Sequence, residues 1–345
     1  MDQQISIRVA HPIDKFTHWR ASLLGGVLLW VVTGCGEAPA IFDAAGRAAV
    51  EINRLWWLFL WLGSAVYGAV MGYLFLALYR RRRQPASDGV GSGGSTRTVI
   101  WGGIVMPSLV LLVVYGFTVR TLWALAPQPT DEELVIEVIG HQWWWEVRYP
   151  EQTIITANEV HIPVGQPVRV QLTSADVIHS FWVPELHGKL DMIPGRTNTF
   201  WLEAERPGDY WGICAEFCGI QHAKMLFLVV ATPPEEFAAW LTAQQQAPPP
   251  PTDALAQQGQ QIFLESTCAR CHAIAGTPAN GRLGPDLTHL AGRRTLGAGI
   301  LENNLGNLSG WLANPQHIKQ GNLMPASILS SEELQALLAY LQTLE

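Results

Sequence analysis

The sequence predicts a membrane protein of several domains: a two-helix transmembrane hairpin, then an all-β domain, then a small all-α domain. Three observations predict it. Residues 55–79 and 99–119 are charge-free and apolar, from residue 130 apolar residues recur at every second position, and beyond a Gln/Pro tract they recur at helical spacing. Composition agrees, because the 345 residues are 48% hydrophobic but only 15% charged, against roughly 25% in an ordinary soluble domain.

The N-terminus carries Arg8, Lys15 and Arg20, followed by a charge-free run over residues 21–36 that ends in Val32-Thr33-Gly34-Cys35. A charged start, a short apolar stretch and small residues before a cleavage point predict an export signal over residues 1–34. The tetrapeptide resembles a bacterial lipobox, which implies lipidation of Cys35; an uncleaved short anchor is the alternative reading. The hairpin occupies residues 35–129. At 1.5 Å per residue even its shorter apolar run spans about 31 Å, enough for the hydrocarbon core. Neither run has the polar face of a globular helix. Arg80, Arg81, Arg82 and Arg83 and the Gly/Ser-rich residues 89–95 lie between the runs, so the positive-inside rule places that loop in the cytoplasm and everything after residue 120 outside it. Pro107 is expected to kink the second helix.

Charge divides in the same way. Residues 35–129 hold 4 acidic and 8 basic side chains, whereas residues 130–345 hold 23 acidic and 11 basic. The overall charge of −7 speaks against a nucleic-acid binder, since the one run of basic residues, Arg80 to Arg83, lies between the two membrane stretches.

The β-domain is predicted over residues 130–241. Leu134, Ile136 and Val138 recur at every second position, Val168, Val170 and Leu172 alternate with polar neighbours, and residues 225–230 form a short continuous apolar run, which together suggest a sandwich or barrel. Gln244 to Gln246 and Pro248 to Pro251 then predict a semi-rigid spacer over residues 242–252. In residues 253–345, Leu255, Ile262 and Phe263 mark a first helix, and Leu334, Leu337, Leu338 and Leu341 lie on one face of a last one opened by Ser331-Glu332-Glu333.

Five cysteines is an odd number, so each needs its own explanation. Residues 214–225 read Cys-Ala-Glu-Phe-Cys-Gly-Ile-Gln-His-Ala-Lys-Met, with His179 upstream in Asp176-Val177-Ile178-His179. Thiolates, imidazole and a thioether favour copper over hard cations, and two thiolates can bridge two metal ions. A Cys214–Cys218 disulfide or a zinc site are the competing readings of these residues. Cys268-Ala-Arg-Cys271-His272 has the spacing of covalent haem attachment, with His272 as the proximal iron ligand.

The segment 214–225, together with Asp176 to Arg196 and Gly140-His141-Gln142-Trp143-Trp144-Trp145, resembles subunit II of haem–copper cytochrome c oxidases over roughly residues 40–232. The resemblance implies a cupredoxin-like domain holding a binuclear CuA centre. Cys214 and Cys218 would bridge the coppers, His179 and His222 would be terminal ligands, Met225 a weak axial ligand, and Glu216 a backbone-carbonyl ligand whose side chain also reaches Mg at the subunit I interface. Trp143 matches the tryptophan through which electrons arrive. Departures from the family pattern are Trp144 in place of a tyrosine, His187 in place of a glycine, and Thr98 in place of a glutamate that serves as a proton entrance in relatives. His187 lies outside the ligand pattern and reads as a surface residue.

Residues 253–345 resemble class I cytochromes c. The resemblance implies that the first and last helices cross through Gly259, Phe263 and Tyr340, and that Asn322-Leu323-Met324-Pro325-Ala326 supplies Met324 as sixth iron ligand, with His289 and His317 as rivals. The chain as a whole therefore resembles a caa-type subunit II, in which haem c is fused to the CuA domain and held near it by the spacer. Its expected place is the bacterial inner membrane, both metal domains on the periplasmic side. Its expected partners are membrane lipid, oxidase subunit I with haem a and copper, where oxygen reduction and proton pumping reside, and a cytochrome c or quinol-oxidising complex as donor. A CuA subunit of a nitric oxide reductase complex and a free-standing membrane electron carrier are the alternatives.

Overall fold

The computed structural model describes residues 40–83, 96–126 and 134–345. The export signal, Cys35 and the Gly/Ser part of the inter-helix loop lie outside the described residues.

Helix α1 (Arg47–Arg83) and helix α2 (residues 96–124) are the two candidate membrane spans, with mean hydropathy of 1.6 and 2.1 over their most apolar stretches. α1 ends on Arg80 to Arg83, where basic side chains also complement the negative end of the helix dipole. In α2 the disturbance expected from Pro107 takes the form of a π-helical turn, Trp101–Val105, directly before the α-helix resumes at Met106–Ala124. Proline lacks an N–H and its ring crowds the carbonyl four residues back, here that of Gly103; widening the preceding turn accommodates both. α1 is longer than its apolar run because its first turns belong to the β-domain. The N–H groups of Ala45 and Gly46 donate to the Glu185 carbonyl (2.7 and 3.1 Å), and that of Ala49 donates to Leu186 (3.2 Å). Only glycine fits at position 46, since a Cβ there would lie 2.5 Å from the Glu203 oxygen and 2.6 Å from that of Leu186.

Ten strands then form two five-stranded sheets: β3 (Ile154–Ala157), β2 (Trp144–Tyr149), β1 (Val135–His141), β5 (Val168–Ser174) and β8 (Asn198–Leu202) lie side by side in that order in one, and β4 (Glu159–Pro163), β10 (Leu226–Thr232), β9 (Gly208–Cys214), β6 (His179–Trp182) and β7 (Leu190–Met192) in the other. In the first sheet β1 (Val135–His141) pairs antiparallel with β2 (Trp144–Tyr149) and parallel with β5 (Val168–Ser174), so Ile136, Val138, Val168, Val170 and Leu172 all point inward. The period-two pattern in the sequence is that inner face. In the second sheet β9 (Gly208–Cys214) and β10 (Leu226–Thr232) pair antiparallel and carry Tyr210, Phe227 and Val229 into the same core. Each such fully buried side chain contributes about 1.5–3 kcal/mol. This is the cupredoxin-like sandwich.

Helix α3 (Pro234–Gln244), for which the sequence reading has no element, follows β10 at the end of the span assigned to the β-domain and reaches only the first three residues of the expected spacer; Glu235 and Glu236 stand in its first turn and Phe237 packs on the sandwich. The cytochrome domain begins with α4 (Ala254–Glu265), whose N-terminal N–H groups at Leu255 and Ala256 are capped by the Asp253 carboxylate. It ends with α8 (Ser331–Leu341), opened by a reciprocal capping box between Ser330 and Glu333. The two helices cross at Gly259, with Phe263 and Tyr340 edge to face at 6.0 Å.

The cytochrome domain does not hang free on its spacer; residues 41–345 are one compact unit. The buried Glu159 carboxylate of β4 (Glu159–Pro163) accepts from the peptide N–H groups of Arg294 and Thr295 (2.7 and 3.1 Å). The Leu226 N–H at the start of β10 donates to Ala298 (3.0 Å). Gly299 lets the backbones approach this closely: a Cβ there would sit 2.7 Å from that of Leu226.

Candidate metal centres

Strand pairing builds the first centre. Ile213 on β9 is paired with Leu226 on β10, so Cys214 and Met225 flank the mouth of the connecting loop, and the Cys214 N–H donates to the Met225 carbonyl (3.0 Å). The loop folds back through a 3-10 turn, His222–Lys224. β6 (His179–Trp182), paired with β9, delivers His179 from beneath. All six residues singled out for copper converge. Cys214 Sγ lies 3.8 Å from Cys218 Sγ, 3.9 Å from His179 Nδ1 and 3.2 Å from the Glu216 carbonyl, while Cys218 Sγ lies 3.6 Å from His222 Nδ1 and 3.8 Å from Met225 Sδ. A sulfur separation of 3.8 Å excludes a disulfide, which needs about 2.05 Å. His179, Cys214 and Cys218 are buried and their ligand atoms fall within 4.8 Å of one another.

The electrostatics suit a cation between the sulfurs. The hydrogen bond with Cys218 holds the Cys214 thiol far below the usual thiol range, and the same contact, with burial, pushes Cys218 up. A bound metal ion would discharge both as thiolates. Burial disfavours charge on His179, but its hydrogen bonds to Cys214 and Asp176 outweigh this and raise its pKa. Asp176 Oδ1 accepts from His179 Nε2 at 2.8 Å, which turns Nδ1 toward the cysteines. No ligand-orienting part is expected of Asp176 from the sequence; its place three residues before His179 is the signal for it.

The three tryptophans separate by function. Trp145 is in the core, Trp144 stacks on His141 at 4.4 Å, and Trp143 covers the ligand loop, its Nε1–H donating to the Cys218 carbonyl (3.0 Å). Gln142 Nε2 donates to the same carbonyl (2.8 Å). His187 is half-buried rather than on the surface: it packs edge-on to Phe200 at 4.7 Å, donates to the Gly188 carbonyl, and takes no part in the cluster. The Glu216 carboxylate is exposed and lies 3.5 Å from the Lys189 ammonium, which is also 3.0 Å from Asp191. With a cation of its own already beside it, this carboxylate does not by itself fit Mg.

The second centre lies in the cytochrome domain. Cys268 and Cys271 sit on the one-turn helix α5 (Cys268–Cys271), one turn apart on the same side, and neither is in a disulfide. His272 Nδ1 donates to the Pro285 carbonyl (2.7 Å), which leaves Nε2 as the ligand nitrogen. Gly284 makes room for that ring, since a Cβ there would lie 2.6 Å from His272 Cε1. Met324 is held in place by its neighbours: Asn322 Oδ1 accepts from its N–H (2.8 Å), and Gln316 donates to its carbonyl (2.7 Å). The rivals are otherwise engaged. Both ring nitrogens of His289 are hydrogen-bonded, to the carbonyls of Glu345 (2.6 Å) and Gln244 (3.2 Å), and His317 is exposed. The donor set thus fits haem with one imidazole and one thioether.

Known proteins agree with both halves. Residues 152–232 match the family described as cytochrome c oxidase subunit II, periplasmic domain, and residues 256–345 match cytochrome c. Cytochrome c oxidase subunit 2 of Alkalihalophilus pseudofirmus is 39% identical, over 91% of this chain and 94% of its own length. That of Bacillus sp. strain PS3 is 32% identical, over 95% and 98%. Among solved structures, the periplasmic domain of subunit II of cytochrome oxidase from Bradyrhizobium japonicum is 34% identical, covering 34% of this chain and 97% of its own, with a TM-score of 0.33. A copper-type cluster in a cupredoxin-like sandwich, a haem-type site in a helical domain behind it, and near full-length similarity lead to one conclusion: this chain belongs to the cytochrome c oxidase subunit 2 family, as a membrane-anchored subunit of a haem–copper oxidase complex with a C-terminal cytochrome c domain.

Proposed function

We propose that this chain carries electrons from an outside donor to subunit I, in the order haem, Trp143, copper. The observation that carries this reading is the seating of the cytochrome domain on the face of the sandwich that bears Trp143 and the Cys214–Met225 loop. Lys224 Nζ donates to the Ile318 carbonyl (2.7 Å), and Gln221 of the same loop donates to that of Gln320. The two metal groups would supply reversible one-electron transfer, and neither site offers a nucleophile or a paired carboxylate for group transfer.

The residues divide the work. Cys214, Cys218, His179, His222, Met225 and the Glu216 carbonyl hold a binuclear copper, and Asp176 fixes the His179 ring. Cys268 and Cys271 attach the haem covalently, with His272 and Met324 as axial ligands. Core side chains such as Phe227 and Trp145 keep water from the copper side. The sandwich, at 16 acidic and 6 basic residues over 130–241, favours a basic donor such as a cytochrome c. The membrane is the bacterial inner membrane, with both domains on its periplasmic face and Cys35 as a lipid anchor.

The decisive experiment is spectroscopy of the purified complex. It should show two coppers and one covalently attached haem per chain, co-purification with an a-type haem subunit, and oxygen uptake that depends on copper. A chain isolated without such a subunit or such uptake favours the free-standing carrier. Met324→Ala should abolish the near-infrared sulfur-to-iron band, and an intact band would refute the axial assignment.

A further inference from the structure

One buried lysine in this interface is not accounted for by either metal site. Lys319 lies in the cytochrome domain and is only 2% exposed. Its Nζ donates across the domain boundary to the Trp143 carbonyl (2.8 Å) and within its own domain to the Gly297 carbonyl (3.0 Å). Burying an ammonium is costly unless its hydrogen bonds are satisfied, and an apolar side chain of similar volume would fill the space more cheaply. A lysine there specifies a geometry rather than adding area.

Its connections on both sides show which geometry. On the copper side, the Trp143 whose carbonyl Lys319 holds donates its indole N–H to the Cys218 carbonyl (3.0 Å). On the haem side, the Lys319 carbonyl accepts from the Asn322 side chain (2.6 Å) and backbone (3.1 Å), and Asn322 Oδ1 accepts from the Met324 N–H (2.8 Å). One set of bonds therefore runs from a copper-ligand residue to the loop bearing the sixth haem ligand.

We propose that Lys319 is a positioning residue for electron transfer between the two domains: it pins the cytochrome domain to Trp143, so that haem and copper exchange electrons within a fixed pair rather than by collision on a tether. The proposal rests on the route given above, in which Trp143 lies between the centres. A staple serving only the fold of the cytochrome domain, through Gly297, would explain the burial but not the bond to Trp143.

The test uses the full chain loaded with copper and haem, and the variant Lys319→Met, which keeps the stem and loses the donors. Two readouts report docking. The Leu226 amide, bonded to Ala298 across the boundary, should lose about tenfold in hydrogen-exchange protection, the scale set by losing a hydrogen bond to a charged group. The rate of copper reduction after flash reduction of the haem should fall by a similar factor and become dependent on viscosity. The copper absorption and the near-infrared haem band should stay at wild type. Unchanged protection and rate would overturn the proposal, and loss of the haem band would overturn it in favour of a structural staple. Should Lys319→Met fail to fold, Lys319→Gln, a shorter donor, must show the same direction of change at smaller size; wild-type values for it would also overturn the proposal. Failure of the underlying route looks different: haem that does not reduce copper in the wild-type chain, while Leu226 protection still falls in the variant.

Discussion

Replacing Gly259 with alanine should destabilise the cytochrome domain, although helix propensity alone favours alanine by about 1 kcal/mol. A Cβ at this position would lie 1.9 Å from the Ala336 carbonyl oxygen, 2.5 Å from its carbon and 2.8 Å from Tyr340 Cβ. A carbon normally approaches an oxygen no closer than about 3.3 Å, so α4 and α8 must part by about 1.4 Å. Two of the three obstacles are backbone, which cannot rotate away. Overpacking of this kind costs about 1–3 kcal/mol, and opening the joint also loosens Phe263 and Tyr340, both about 1% exposed. A net loss of about 2 kcal/mol lowers the melting temperature of a domain this size by about 8–16 °C. The assay is the thermal transition of the full chain followed at the haem absorbance. Gly310 on α6 (Leu305–Ala313) is the control, because a Cβ there meets nothing within 4 Å. Gly310→Ala should leave the transition unchanged or raise it. A Gly259→Ala chain that melts at or above wild type would refute the crossing geometry.

Gly140→Ala should disturb the copper centre and not the haem, because the new Cβ would lie 2.7 Å from His179 Cδ2; a copper absorption identical to wild type would show that the ring is not where the structure puts it. Stability should decline as pH falls below about 6.5, and His161 should account for part of it. Burial lowers its pKa, outweighing the nearby Glu159, and Arg294 adds to the depression; Trp240 stacks on the ring at 4.1 Å and the Tyr149 hydroxyl accepts from its backbone N–H. The unfolded chain takes up a proton just below pH 6.5 that the folded chain refuses, so stability drops through that window and levels off below the folded pKa. Melts at pH 7.5 and 5.5 should differ less in His161→Gln than in wild type, and an equal difference would remove His161 from the account.

Local patterns made much of the fold legible in the sequence. The membrane runs, the strands at 135–141, 168–174 and 226–232, and both ligand clusters are encoded within short windows where spacing alone carries the information. Helix α3 was legible in principle, from Pro234 followed by Glu235 and Glu236, but the Gln/Pro tract directly after it masked the signal. The docking of the two domains was not legible. It depends on pairs such as Lys319 with Trp143 and Glu159 with Arg294, each more than 130 positions apart, with no periodicity to announce them. By sequence Lys319 looks like any surface lysine, and only the arrangement of the second domain buries it.

Helix α1 is 37 residues long, about 55 Å, yet a bilayer's hydrocarbon core takes up only about 30 Å of it. Its first turns are bonded to Glu185 and Leu186 of the sandwich, so one continuous rod joins the lipid to the copper domain without a flexible joint at its root. Such a rod works as a spindle and a gauge, setting the height of the copper above the lipid and the direction in which it faces. Each helical residue turns by about 100°. Adding one residue near Ile52 would raise the domain by only about 1.5 Å but swing its face by more than a quarter of a turn. A partner fixed in the membrane would then meet the wrong side of the molecule, although every metal ligand remained in place.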